Sequence, residues 1–268
     1  MLPIISSQEL RKINEAILNN EKEISVSLDL GSTKQKIKLF ENGFVLNGER
    51  IKKINIRQDD KSCYVIFKGE LHKVQFFSHT TKDLYKLVPT GYRPILKISG
   101  TSMHKKPFLD RIEKDKLRGQ ILDSGTGLGY SAIIAAKTAE KVITIEIDEN
   151  VIEIAKLNPY SQELFKNKKI QLIIGNISDK ISEFKNDSFN FIILDAGTPK
   201  SSADFFSQKN YNHAYRILKE GGKLYHYLPK HHIMRGRDFS AEVIKRIKKA
   251  KFRNIERNIA DSYIVAEK

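Results

Sequence analysis

Residues 121–136 read ILDSGTGLGYSAIIAA: an apolar strand reaching Asp123, glycines at 125, 127 and 129, and a helix opening near Ser131. Glycine lets the backbone turn tightly and leaves no Cβ in the way of a ligand. The helix start behind the loop offers free N–H groups and the positive end of a dipole. A strand, glycine loop and helix in this order point to an α/β architecture with its ligand beyond the carboxyl ends of the strands. The rest of the segment after about residue 107 agrees. Strand-like runs QILDSG, KVITIEI, IQLIIG, FNFIILDA, GKLYHYLP, FRNIERNI and SYIVAEK alternate with helical runs SAIIAAKTA, ENVIEIAKLN, NYNHAYRILKE and SAEVIKRIKKA. A tight turn at Ala260–Asp261 joins the last two strands, so a seven-stranded doubly wound sheet with a reversed final strand is expected.

The first hundred residues have another rhythm. SQELRKINEAILNN predicts a helix over 8–19, with Leu10, Ile13 and Ile17 on one face and Ser7 as its N-cap. EISVSLDLG, KQKIKLF, GFVLNGERI, KSCYVIFKG and LHKVQFFS follow, separated by Gly, Asn and Asp turn signals. The expectation is a small, mostly antiparallel β-rich domain over 1–100, serving substrate recognition, and a ligand-binding α/β domain over 101–268. VPTGYRPILKISGTSMHKKP, with three of the seven prolines, reads as the connection.

No apolar run approaches the roughly 18 residues of a membrane span, and the first residues lack a signal-peptide core. A cytoplasmic protein with no membrane partner is expected. The single cysteine, Cys63, excludes an internal disulfide and a thiolate-cluster metal site, and is expected to be buried in the strand CYVIFKG. No His/Asp/Glu grouping has metal-ligand spacing. The net charge of +15 favours a polyanion such as RNA, although a charged heat-adapted surface has the same composition. Basic residues are densest at 230–237 and 244–257.

The glycine spacing decides the ligand class. A dinucleotide loop needs Gly-x-Gly-x-x-Gly, and Tyr130 stands at the third position. The run fits instead the Asp-x-Gly-x-Gly-x-Gly loop of class I methyltransferases, which bind S-adenosylmethionine (SAM). On that reading Asp123 faces the cationic methionine amino group, and Gly125, Thr126, Gly127, Gly129 and Tyr130 form the loop. Glu146, ending the next strand, accepts from the ribose hydroxyls, while Asp148 caps the following helix. Asn176 accepts from the adenine amino group, with Ile147 and Ile177 on either side of the ring. Asp195 ends the fourth strand, where the methyl group would emerge.

Together with these, ISGTSMH (98–104), VITIEIDENVIEIAKLNPYS (142–161), YRILKEGGKLYHY and RGRD give the chain a resemblance to a family of predicted archaeal methyltransferases. DLGSTKQKIKLF and LYKLVPT extend it into the first region. The resemblance implies SAM as cofactor, a Rossmann-like class I methyltransferase sheet and a β-rich N-terminal domain. Relatives resemble amine methyltransferases in carrying Asp-Pro-Pro after the fourth strand. This chain reads Asp195-Ala196-Gly197-Thr198-Pro199-Lys200, so transfer to a planar amine is not implied.

Methyl transfer is an in-line displacement driven largely by positioning, with a base needed only if the nucleophile must lose a proton. Asp195 is the candidate catalytic residue or else a contact of the cofactor alone, and His104 is a candidate to close over the methionine end of the cofactor. His226 is either a site residue or a buried histidine. Arg235, Arg237 and Asp238 form either an ion-pair network or a phosphate clamp. RNA is the expected methyl acceptor. The alternatives are a protein acceptor, or a small molecule such as a polyamine, since Asp195-x-x-x-Pro also resembles aminopropyl transferases.

Overall fold

The computed structural model describes residues 2–103, 106–195, 203–228 and 238–268. The chain divides into two compact units, 1–104 with 150–162, and 105–149 with 163–268.

In the first unit, β1 (Ile4–Ser6), β6 (Cys63–Phe67) and β7 (Glu70–Lys73) make one antiparallel sheet. A second holds β2 (Glu23–Val26), β3 (Gln35–Phe40), β4 (Gly43–Leu46) and β5 (Glu49–Lys52) in sequence order. The third holds β8 (Gln75–Ser78), β9 (Asp83–Val88), β10 (Ile95–Ile98) and β11 (Thr101–Ser102). Helix α1 (Ser7–Leu18) buries Leu10, Ile13 and Ile17, the predicted face, in a core with Val26, Phe44 and Ile51. Its N-cap is Ser6, not Ser7: the Ser6 hydroxyl accepts from the Glu9 N–H at 3.2 Å. Ser7 is buried instead and donates to the Asp60 carbonyl at 2.7 Å. Cys63 is fully buried, as expected, and burial raises its thiol pKa.

Much of the stretch expected to be a connection is sheet. Pro89 follows β9 and Pro94 precedes β10, so neither removes a ladder donor from inside a strand.

The second unit carries a seven-stranded sheet. In chain order its strands are β12 (Gln120–Ser124), β13 (Lys141–Glu146), β14 (Ile170–Ile174), β15 (Phe189–Leu194), β16 (Leu218–Tyr227), β17 (Arg253–Asn258) and β18 (Tyr263–Glu267). Their spatial order is β14-β13-β12-β15-β16-β18-β17. All pairs are parallel except those of β18, which runs antiparallel to both neighbours. This is the expected Rossmann-like α/β sheet with a reversed final strand. Continuous apolar runs such as FIIL in β15 suit strands covered on both faces. The core joins Leu122, Ile192 and Leu224 to helices α7 (Gln208–Ile217) and α8 (Phe239–Lys249) through Tyr211 and Val243. Helices α3 (Tyr130–Ala136) and α4 (Glu149–Leu157) follow β12 and β13, as read from the sequence. The structure adds α2 (Lys106–Asp115), α5 (Gln162–Lys166) and α6 (Ile177–Lys180). The strand order reverses at β12 and β15, which opens the ligand crevice at their carboxyl ends.

Candidate active site

The glycine loop turns sharply because all three of its glycines take left-handed backbone angles. The φ values are 73° at Gly125, 56° at Gly127 and 78° at Gly129. Gly129 has a second constraint: a Cβ there would stand 2.9 Å from the Leu164 Cδ2.

Asp123 has no exposed surface, and burial pushes its carboxyl up to about 7. The Thr144 hydroxyl donates to its Oδ2 at 2.6 Å and also lies 2.6 Å from the Thr126 hydroxyl, and Ser131 is a further side-chain donor to the carboxyl. The other oxygen, Oδ1, has no hydrogen-bond partner among the described residues, nor has the buried Ser124 Oγ beside it in sequence. Buried polar atoms are paired in the great majority of cases, so the open Oδ1 of Asp123 marks a place where a water, an ion or a ligand group can donate. Thr144 and Ser124 escaped the sequence reading. Their signal was a hydroxyl in an otherwise apolar strand, which taken alone marks many buried positions of no function.

Glu146, also buried, ties the loop to β13. Its Oε2 accepts from Gly127 N–H at 2.9 Å, and its Oε1 from Ile147 and Asp148 N–H at 3.0 and 3.1 Å. Burial raises its carboxyl pKa while these donors oppose the shift. A carboxylate offers about four lone-pair positions, so roughly one stays open to a ribose. Asn176 caps α6, its Oδ1 accepting from Ser178 N–H at 2.9 Å, so the oxygen expected to meet the adenine amino group is already engaged by its own helix. Ile147 is 67% exposed, whereas Ile177 is 7% exposed and belongs to the sheet core. Tyr130 is buried in the first turn of α3. Asp195 is half-buried at the end of β15, where its N–H donates to the Ser124 carbonyl at 3.1 Å. Burial, then the nearby Asp195 charge, push the Tyr227 phenol up to about 12. The phenol therefore stays protonated beside the acid.

His226 is a buried structural histidine. Its Nδ1 lies 3.1 Å from the Leu194 carbonyl and its Nε2 2.9 Å from the Tyr211 hydroxyl. Burial holds its pKa down at about 4, so the ring is neutral, with Nδ1–H donating to Leu194 and Nε2 accepting from Tyr211. Asp238 belongs to an ion pair: it caps α8 and binds Arg257 at 2.7 Å. His104, Arg235, Arg237 and the Ala196–Lys200 loop lie outside the described residues. Among the described residues no group of His, Cys, Asp and Glu is arranged to hold a metal. No helix among them is long and apolar enough to cross a membrane.

The carboxyl ends of β12, β13, β14 and β15 thus bring Asp123, Glu146, Asn176 and Asp195 to one end of the sheet. A family model described as a methyltransferase domain matches residues 115–260. The chain belongs to the methyltransferase domain family. An uncharacterised protein of Methanocaldococcus jannaschii is 36% identical over 267 residues, covering 92% of this chain and 90% of that one. A polyamine aminopropyltransferase of Saccharolobus islandicus is 34% identical over 121 residues, 43% of this chain and 40% of that one. In fold, this methyltransferase-family chain is similar to a spermidine synthase in complex with the transition-state analogue AdoDATO. The TM-score is 0.58, at 20% identity over 72% of each chain. The spermidine synthase of Thermotoga maritima gives 0.57 at 21% identity, covering 72% of this chain and 71% of that one. The family gives a methyltransferase domain over residues 115–260, and the fold is shared with the spermidine synthases.

Proposed function

We propose that this protein transfers the methyl group of SAM to RNA. The observation that carries the cofactor reading is the unpartnered Oδ1 of fully buried Asp123, at the end of the central strand and beside three left-handed glycines. A buried carboxylate with an open oxygen recognises a cation, and the methionine amino group supplies one. Asp123 would hold that amino group, Glu146 a ribose hydroxyl, and Ile147 the adenine. Thr144 keeps the Asp123 carboxylate oriented, and the Glu146–Gly127 hydrogen bond keeps the loop open. When bound, SAM supplies an electrophilic methyl group on a sulfonium. Asp195 orients the acceptor and takes its proton where the acceptor has one to lose. The net charge of +15 supports a polyanionic acceptor.

One finding favours a second reading: the aminopropyltransferase relative and the two spermidine synthase folds suggest transfer of an aminopropyl group to a polyamine. A strongly basic protein repels that polycationic acceptor, which is why methyl transfer to RNA is preferred.

The test is incubation with radiolabelled SAM and separated RNA, protein and small-molecule fractions. Label entering RNA is expected. Asp195→Ala should lose it while calorimetric SAM binding persists. Label confined to the protein or small-molecule fraction rejects the RNA acceptor. Turnover only with decarboxylated SAM and a diamine rejects methyl transfer altogether.

A further inference from the structure

From the exposed face of the third sheet we infer that the first unit binds single-stranded RNA there, stacking bases on Phe77 beside a row of lysines. The inference rests on the RNA reading above and adds the surface that would hold the acceptor.

The register of the sheet sorts its two faces. Phe76, Tyr85 and Ile98 share one rung, and Leu87 pairs with Leu96 two residues along. Tyr85, Leu87 and Leu96 are all at most 1% exposed, so this face is covered. The alternate rungs therefore point the other way. On them Phe77 pairs with Leu84, and Gln75 lies beside the half-buried Lys86 and Lys97, while Val88 at the far end of this face is buried. Phe77 is 48% exposed and Leu84 39%, so the pair presents adjacent apolar surface. Lys82, at the end of the hairpin that joins β8 to β9, is exposed as well. The acid nearest in sequence, Asp83, accepts a hydrogen bond from the Ser99 hydroxyl at 2.7 Å.

Charge selects the occupant. An aromatic ring flanked by lysines on a strand surface suits unpaired bases, which stack on the ring while phosphates meet the cations. A second copy of this chain would instead bring lysine rows close to one another, at a cost in like-charge repulsion.

The experiment measures binding of an oligouridylate to the full-length protein by fluorescence anisotropy, with Phe77→Ala plus Leu84→Ala and Lys86→Glu plus Lys97→Glu as separate variants. The first pair should weaken binding by about tenfold. The second should weaken it and make the log–log salt slope shallower by about one for each phosphate that is no longer neutralised. Both variants should keep wild-type SAM affinity by calorimetry, because none of these residues belongs to the glycine-loop site. Unchanged RNA binding in both variants overturns this surface while leaving RNA as the acceptor. Absence of oligouridylate binding to the wild type, or a dimer that dissociates on Phe77→Ala, also overturns it. Failure of the parent reading is seen separately, as no label in RNA despite intact SAM binding.

Discussion

Asp123 concentrates the chemistry of the site in one side chain. Its carboxyl, ordinarily at 3.8, stands at about 7 because burial penalises the charge. A cationic ligand binds the ionised form, so SAM affinity should fall as the pH drops below about 7, by up to roughly tenfold per unit. Titration calorimetry across that range checks it; Asp123→Asn should bind weakly and with little pH dependence. The same shift acts on the empty protein with a fixed sign. Between 3.8 and about 7 the folded state holds a proton that the unfolded state has released. Asp123 therefore contributes stability below that window and loses it as pH rises through the window. Thermal melts should show a shallower pH dependence for Asp123→Asn. The motif itself was legible in the chain, since an acid before three alternating glycines is a local pattern. The orphaned oxygen was not, because it depends on Thr144, a residue from the neighbouring strand.

At the scale of elements, the glycine loop and helix α3 form one unit held by Leu164 from α5. Gly129→Ala must adopt a left-handed angle and place a methyl against Leu164. The strained backbone alone costs about 1–2 kcal/mol, and the crowding against Leu164 adds to it. Urea denaturation should show that loss, and SAM binding should weaken because the loop can no longer keep its path. Elements with a strong period, such as β12, β13, β15 and α1, are visible in sequence. The short helices α5 and α6 are not: four or five residues carry too little periodicity. The β10–β11 pair was hidden by nearby prolines, whose harmless positions outside the strands emerge only from the hydrogen-bond register.

For the whole molecule, net charge gives the clearest discriminator between acceptors. RNA affinity should fall by orders of magnitude between roughly 50 and 200 mM salt as released counterions lose their advantage. A polycationic acceptor should respond with the opposite sign, because screening removes its repulsion from a protein of charge +15. Initial rates at fixed SAM over that salt range distinguish them. The division into two compact units also separates the proposed functions, one holding the cofactor residues and the other the aromatic and lysine face.

The alternation of strands and helices, the glycine loop, and the order of Asp123, Glu146, Asn176 and Asp195 can all be read along the chain. These follow from local backbone demands and from the period of apolar residues, which neighbouring positions express directly. Tertiary structure decided which polar atoms are left unpaired, that His226 is a neutral buried ring, and which face of the third sheet stays open. Those properties depend on burial and on partners far away in sequence, and no local pattern encodes either.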